Sequence, residues 1–246
     1  TKYSRNINFF EWIDLSKNLN PCEYQKRLLE STVLIVGVGG IGSTVVEILA
    51  RLGVGRFIIV DFDIVEESNL TRQSGFKKSD IGKSKVEVIQ RNIQAISDSK
   101  VVTISKQLRC KNDLEKLFKS YSFDIALCCA DTPSIEIDYW FDDLAHKYNK
   151  PIIVGSYAST VINYLHIIPG ETISLREFYG NFMISDDHIL NSKTPYSVIS
   201  PISYMAAAII SYKVLDSLTG LLNITNYIQI DCMNFEVYQH DIRKIQ

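Results

Sequence analysis

Residues 32–53, TVLIVGVGGIGSTVVEILARLG, constrain the fold more than any other stretch. TVLIV (32–36) is a short β-branched run that stops at glycines, so it reads as a strand buried in a parallel sheet. Ile41, Val45, Ile48, Leu49 and Leu52 then recur on one helical face. Between strand and helix, Gly37, Gly39 and Gly42 make GxGxxG, with Gly40 inside it. Glycines there allow a tight turn and let backbone N–H groups approach phosphate oxygens at the helix N-terminus. RFIIVD (56–61) is the next strand, and Asp61 lies 19 residues beyond Gly42, where a carboxylate can accept hydrogen bonds from ribose hydroxyls. The alternative is a tight strand–helix turn with no ligand.

The alternation continues. Val86, Ile89, Ile93 and Ile96 predict a helix over 82–97; VVTIS (101–105), DIALCC (124–129) and PIIVG (151–155) predict strands, separated by helices near 112–120 and 134–148. This order implies an α/β, Rossmann-like fold: a mainly parallel sheet with helices on both faces. After residue 155 come a strand (161–169), a polar crossover loop without periodicity (170–200), a buried helix (202–218) and two C-terminal antiparallel strands, YIQID and FEVYQ. The division expected is an N-terminal arm, 1–30, and one domain, 31–246.

Composition removes several classes. A formal net charge of -2 gives no basic surplus for nucleic acid. The N-terminus has no apolar run of the secretory kind. The charge-free stretch from Thr194 to Tyr212 is interrupted by Pro195 and Pro201, so it reads as a loop and a buried helix, and no membrane partner is expected. Five cysteines with no CxxC argue against a disulfide framework and against structural zinc. A reduced, cytoplasmic protein is expected.

Two nucleotide chemistries remain open, an NAD-dependent oxidoreductase and an ATP-using enzyme. The segment after Asp61, FDIVEESNLTRQSGFKKSDIGKSK, gathers Asn69, Arg72 and Gln73 and then Lys85 at a helix start. Arg forks onto phosphate oxygens and Lys supplies a mobile point charge, which suits a polyphosphate. Asp131 follows the fourth strand at the edge where doubly wound sheets bind ligands, and is a reasonable Mg2+ ligand. Singly, each cation also reads as a solvated surface charge, and Asp131, just before Pro133, as a helix cap.

The blocks Gly37–Gly42, Leu49–Asp63, Ser68–Gln73 and Asp80–Lys85, in this order and spacing, resemble the ThiF/MoeB superfamily of adenylating enzymes, to which ubiquitin-activating enzymes also belong. YSRN (3–6), NLTRQ (69–73), KSKVEVIQR (83–91) and ADTP (130–133) look like the branch that adenylates a microcin peptide. The resemblance implies ATP and Mg2+ as cofactors. It places Asp61 on the ribose, Asn69, Arg72 and Gln73 on the phosphates, Lys85 at the α-phosphate and Asp131 on magnesium. Asp63 and the glycines complete the nucleotide site. Arg5 would reach the ATP of a partner subunit in a homodimer. The substrate implied is the C-terminus of a ribosomal peptide, or else of a ubiquitin-like or sulfur-carrier protein; a catalytically silent scaffold stays open. Zinc-binding CxxC pairs are absent, and no cysteine occurs between Cys129 and Cys232, so a thioester relay is not expected. The peptide-gripping domain of the microcin branch has no counterpart here, so a preceding domain or a separate protein is expected to present the peptide.

Overall fold

β1 (Thr32–Val36) lies in the middle of an eight-stranded sheet ordered β3-β2-β1-β4-β5-β6-β7-β8. The others are β2 (Arg56–Asp61), β3 (Lys100–Ser105), β4 (Ile125–Cys128), β5 (Ile152–Ala158), β6 (Val161–Ile167), β7 (Tyr227–Asp231) and β8 (Glu236–His240). Pairings from β3 to β5 are parallel, with Val33 opposite both Phe57 and Ile125; from β5 to β8 they are antiparallel. The computed structural model describes residues 2–133, 136–182 and 197–244.

Period-two alternation divides the core between two faces. Val33, Ile35, Phe57, Ile59 and Leu127 pack under α3 (Gly40–Leu52), α4 (Lys85–Ile96) and α8 (Ser200–Thr219). Leu34, Val36, Ile58, Val60 and Cys128 pack under α5 (Lys111–Ser120), α6 (Glu136–Tyr148) and α7 (Leu175–Phe182). The central strands are covered on both sides, as their unbroken apolar runs require. From β1 the chain turns to β2 on one side, and β4 lies on the other. The crevice at their carboxyl ends is therefore the switch point where such sheets take ligands.

Three details differ from expectation. First, 170–200 is not all loop: α7 starts inside it. Ser174 Oγ accepts from Glu177 N (3.1 Å) while Glu177 Oε2 accepts from Ser174 N (2.7 Å), a reciprocal cap readable as S-x-x-E. Leu175 is fully buried and Phe178 nearly so, which holds this helix on α6. The remainder of the predicted crossover loop, 183–196, lies outside the described residues. Second, the helix expected from 82 begins at Lys85, because Gly82 takes a left-handed turn (φ +86°). Third, residues 1–30 form two helices, α1 (Ser4–Ile13) and α2 (Pro21–Glu30). Asn20 caps α2 by accepting from Cys22 N, with Pro21 in its first turn. Phe10 is buried in its own chain's core, edge-on to Tyr24 at 5.9 Å, whereas Trp12 is 82% exposed. Among the described residues, no helix is long and apolar enough to cross a membrane.

Candidate active site

The glycine turn is built by close backbone approach. Gly37 has φ +88°, and a β-carbon on it would lie 2.7 Å from the backbone of Cys129 and Ala130 at the end of β4. A β-carbon on Gly42 would lie 1.9 Å from Gly37 O, so only glycine lets α3 leave the strand this tightly. No side chain caps α3, so its N-terminal amides face the cleft lined by Gly39 and Gly40. Asp61 closes the turn: its carboxylate accepts from Val38 N (2.7 Å) and Asp63 N (2.8 Å). Each oxygen keeps a further lone pair for a ligand hydroxyl.

The cleft measures about 280 Å³. Gly37, Gly39, Gly40, Asp61, Asp63, Asn69, Arg72, Gln73, Lys85 and Asp131 all line it, so ten of the twelve predicted site residues converge there. The other two are Gly42 and Arg5. Gly42 acts one turn behind, through backbone packing. Arg5 lies on exposed α1 beside Asn6, whose amide donates to Leu52 O (3.2 Å) at the far end of α3. The 13 residues of α3 span about 20 Å, which puts Arg5 well beyond reach of its own chain's glycine turn.

The cation side is ordered. Lys85 opens α4, is 4% exposed, and donates to Asp63 Oδ2 at 2.8 Å. Asn69 accepts from Glu66 N (3.0 Å) through its side-chain oxygen, which leaves the amide nitrogen as its free end. Arg72 donates to Ser68 O (3.3 Å) and stands beside the Tyr157 hydroxyl. Gln73 is buried and its Oε1 has no hydrogen-bond partner. That oxygen is an acceptor and needs a donor, while Gln73 Nε2, 3.7 Å from where a β-carbon on Gly39 would lie, is the end that can donate to a phosphate oxygen. Asp131 is exposed at the rim and accepts from Thr132 Oγ1 at 3.2 Å.

Sequence reasoning missed Phe62, Lys106 and Tyr157, which also line the cleft. Phe62, 46% exposed, falls between the two aspartates in sequence and lines the same cleft. Tyr157 was missed because β5 extends three residues past its predicted end. A β-carbon on Gly40 would fall 2.3 Å from Tyr157 Oη and 2.9 Å from Ser203 Oγ. Burial pushes the Tyr157 hydroxyl above the usual phenol value, opposed by neighbouring Arg72. The start of α3 thus meets the first turn of α8. The two helices run in the same direction, since Leu52 and Leu215 near their far ends line one groove.

Beneath the rim, Asp138 of α6 accepts from Cys128 Sγ (3.2 Å), and burial raises its carboxyl to about 6. Burial also raises the Cys128 and Cys129 thiols, the latter to about 12, so neither is a ready thiolate.

The sequence profile described as the ThiF family matches residues 3–246. The chain belongs to the ThiF family. Among curated members, it is 36% identical over 132 residues to the probable adenylyltransferase/sulfurtransferase MoeZ of Mycobacterium tuberculosis, covering 54% of this chain and 33% of that protein. It is 29% identical over 209 residues to the adenylyltransferase and sulfurtransferase UBA4 of Lodderomyces elongisporus, covering 82% and 44%. The chain therefore spans less than half the length of these relatives. Among solved ThiF-like structures, E. coli MccB with ATP superposes with a TM-score of 0.84 at 28% identity, covering 99% of this chain and 72% of that one. The microcin C7 biosynthetic enzyme MccB in complex with N-formylated MccA gives 0.84 at 26%, covering 99% and 73%.

Proposed function

We propose that this ThiF-family chain is an ATP-dependent adenylyltransferase that activates a C-terminal carboxylate, first of all that of a ribosomal peptide. The observation that carries the reading is the convergence of buried Lys85, of Arg72 and of the Gln73 amide nitrogen on the uncapped N-terminus of α3. A dinucleotide needs the glycine turn and Asp61; it gives no reason for those cations, whereas a triphosphate does. The MccB structures with ATP and with N-formylated MccA support a peptide substrate. A further relative, the sulfur carrier protein adenylyltransferase of Thermus thermophilus (34% identical over 135 residues), supports the second reading, a sulfur-carrier or ubiquitin-like protein. The full set of polar groups weighs against a silent scaffold.

The reaction is acyl-COO⁻ plus ATP giving acyl-AMP plus pyrophosphate. A carboxylate oxygen attacks the α-phosphorus, and the bond to the β-phosphate oxygen breaks. Asp61 holds the ribose and Phe62 flanks the base. Asn69, Arg72 and Gln73 hold the phosphates. Lys85 leaves Asp63 for the α-phosphoryl oxygens as negative charge builds there. Catalysis by such a site is positioning and charge stabilisation. Magnesium would be held by Asp131: this ion commonly takes one or two carboxylates and completes its shell with phosphates and water. Asp131 is exposed where it lines the cleft and has one carboxylate oxygen outside its bond from Thr132, which fits a metal brought with the nucleotide. Arg5, remote from its own cleft, serves the site of a second subunit in a homodimer. A further domain or protein presents the peptide.

Calorimetry and pyrophosphate exchange test this. ATP with Mg2+ is expected to bind and NAD to show little affinity, and exchange is expected to depend on a peptide ending in a free carboxylate. Tight NAD binding without ATP binding would remove the assignment.

A further inference from the structure

Asp80 opens the DIGKSK block, yet it stands outside the cleft and is fully buried. It ends a 3₁₀ turn, Lys78–Asp80, and gathers four donors: Lys77 N (3.1 Å), Lys83 Nζ (3.4 Å), and Arg91 through Nη1 (2.9 Å) and Nη2 (3.1 Å). The Arg91 fork is the strong, directional kind of pairing. Arg91 lies six residues beyond Lys85 on the same helix, so the fork ties the loop before α4 to the body of α4. That loop is also latched to the strand exit, through Val65 N to Lys83 O (2.8 Å), Gly82 N to Val65 O (2.8 Å) and Lys85 N to Asp63 O (3.0 Å). The next residue extends the network. Arg91 Nη2 donates to Asn92 Oδ1 (3.1 Å), and Asn92 Nδ2 donates to Gly75 O (2.6 Å), two residues past Gln73. One patch of α4 therefore grips both loops that bear the cleft's phosphate-side groups.

We propose that the Asp80–Arg91–Asn92 network is a positioning element that registers Lys85 against the loop carrying Arg72 and Gln73. The proposal rests on the adenylation reading, since it assigns Lys85 to the nucleotide. Asp80 has no solvent to fall back on, so loss of Arg91 leaves a buried carboxylate short of its main partner, and the loop must shift to rehydrate it. A shift of about 1 Å at a charge-stabilising group is enough to matter for the reaction.

The test uses 5′-(4-fluorosulfonylbenzoyl)adenosine, which carries a lysine-reactive electrophile where the phosphates of ATP lie; labelled sites are read by peptide mass spectrometry. The wild-type chain is expected to label at Lys85, with ATP protecting. Arg91→Ala is expected to slow Lys85 labelling about tenfold, and Arg91→Lys, which restores one donor without the fork, to recover part of it. Lys147→Ala is the control. It breaks a comparable anchor at Glu115, remote from the cleft, and should leave labelling unchanged. Unaltered labelling in Arg91→Ala overturns the positioning role, as does equal slowing in Lys147→Ala, which would report general loosening. If Arg91→Ala does not fold, Arg91→Lys decides by the same criterion. A wild-type chain whose Lys85 takes no label, or takes it regardless of ATP, overturns the nucleotide reading of the cleft and this proposal with it.

Discussion

The two halves of the sheet solve different problems. β1, β2 and β4 are buried on both faces, and their loops close on one another through glycine backbones, Asp61 and the Asp80 network. β7 is half-buried and β8 exposed along its whole length, with Val237 and Tyr238 open to solvent. On the adenylation reading the parallel half faces a nucleotide, the same molecule in every cycle, and that half is dense and preset. β7 and β8 carry little of the core, unlike β5 and β6, so their surface can change with little effect on stability. Binding function that varies within a family tends to sit on such ground.

The largest expected effect is at the preset end. A unit charge about 4 Å from a phosphate oxygen is worth roughly 4 kcal/mol at an effective dielectric near 20. Part of that acts already on ground-state ATP, so Lys85→Ala should slow pyrophosphate exchange about 10²–10³-fold while ATP affinity changes less. Near-normal exchange would show that the dense half does not hold the chemistry. Gly42→Ala comes next. Its methyl would meet Gly37 O at 1.9 Å, so stability should drop by about 3 kcal/mol, measured by urea unfolding. A variant as stable as wild type would mean the turn yields.

Acid should separate the halves by sign. His166 on β6 is held neutral by burial and by Lys213, its value lowered to about 3. The unfolded chain binds that proton more readily, so stability associated with β6 is lost as pH falls from about 6.5 toward 3. Asp138 behaves oppositely. Its folded value, about 6, lies above the unfolded one, so its burial penalty is complete above about 6 and fades as pH falls toward 3.8. Hydrogen exchange at pH 4.5 against pH 7.5 should show loosening around β6 and tightening around α6. Asp138→Asn should stabilise the chain at pH 8 by about 1–2 kcal/mol and do little at pH 4. Parallel responses in the two regions would break the contrast. The smallest effect expected is Val237→Ser on β8, within about 0.5 kcal/mol by thermal melting. A larger loss would show that the open half carries more of the fold than its exposure implies.

The dense half was also the legible half. Its strands are unbroken apolar runs, its helices keep period, and Gly37, Gly42 and Asp61 sit where only one geometry serves them. What escaped had weaker signals. The Ser174–Glu177 cap was readable but lay in a polar stretch that otherwise suggested loop. The Asn20–Pro21 start of α2 lies within residues 1–30, which read as an arm with no elements assigned to it. Tyr157 lay beyond Gly155, which looked like a strand end but instead makes room for Ile210 of α8. The roles of Asn92 and Arg91 could not be read from spacing, because they act on loops distant in sequence.

The side-by-side run of α3 and α8 has an electrostatic consequence. Helices that point the same way bring like poles together, about half a positive charge at each uncapped start. In the empty chain these ends repel across the Gly40–Ser203 contact. On the adenylation reading, negative charge held at the α3 start would offset that repulsion and so would steady the contact between the parallel half, through α3, and α8 on β5 and β6.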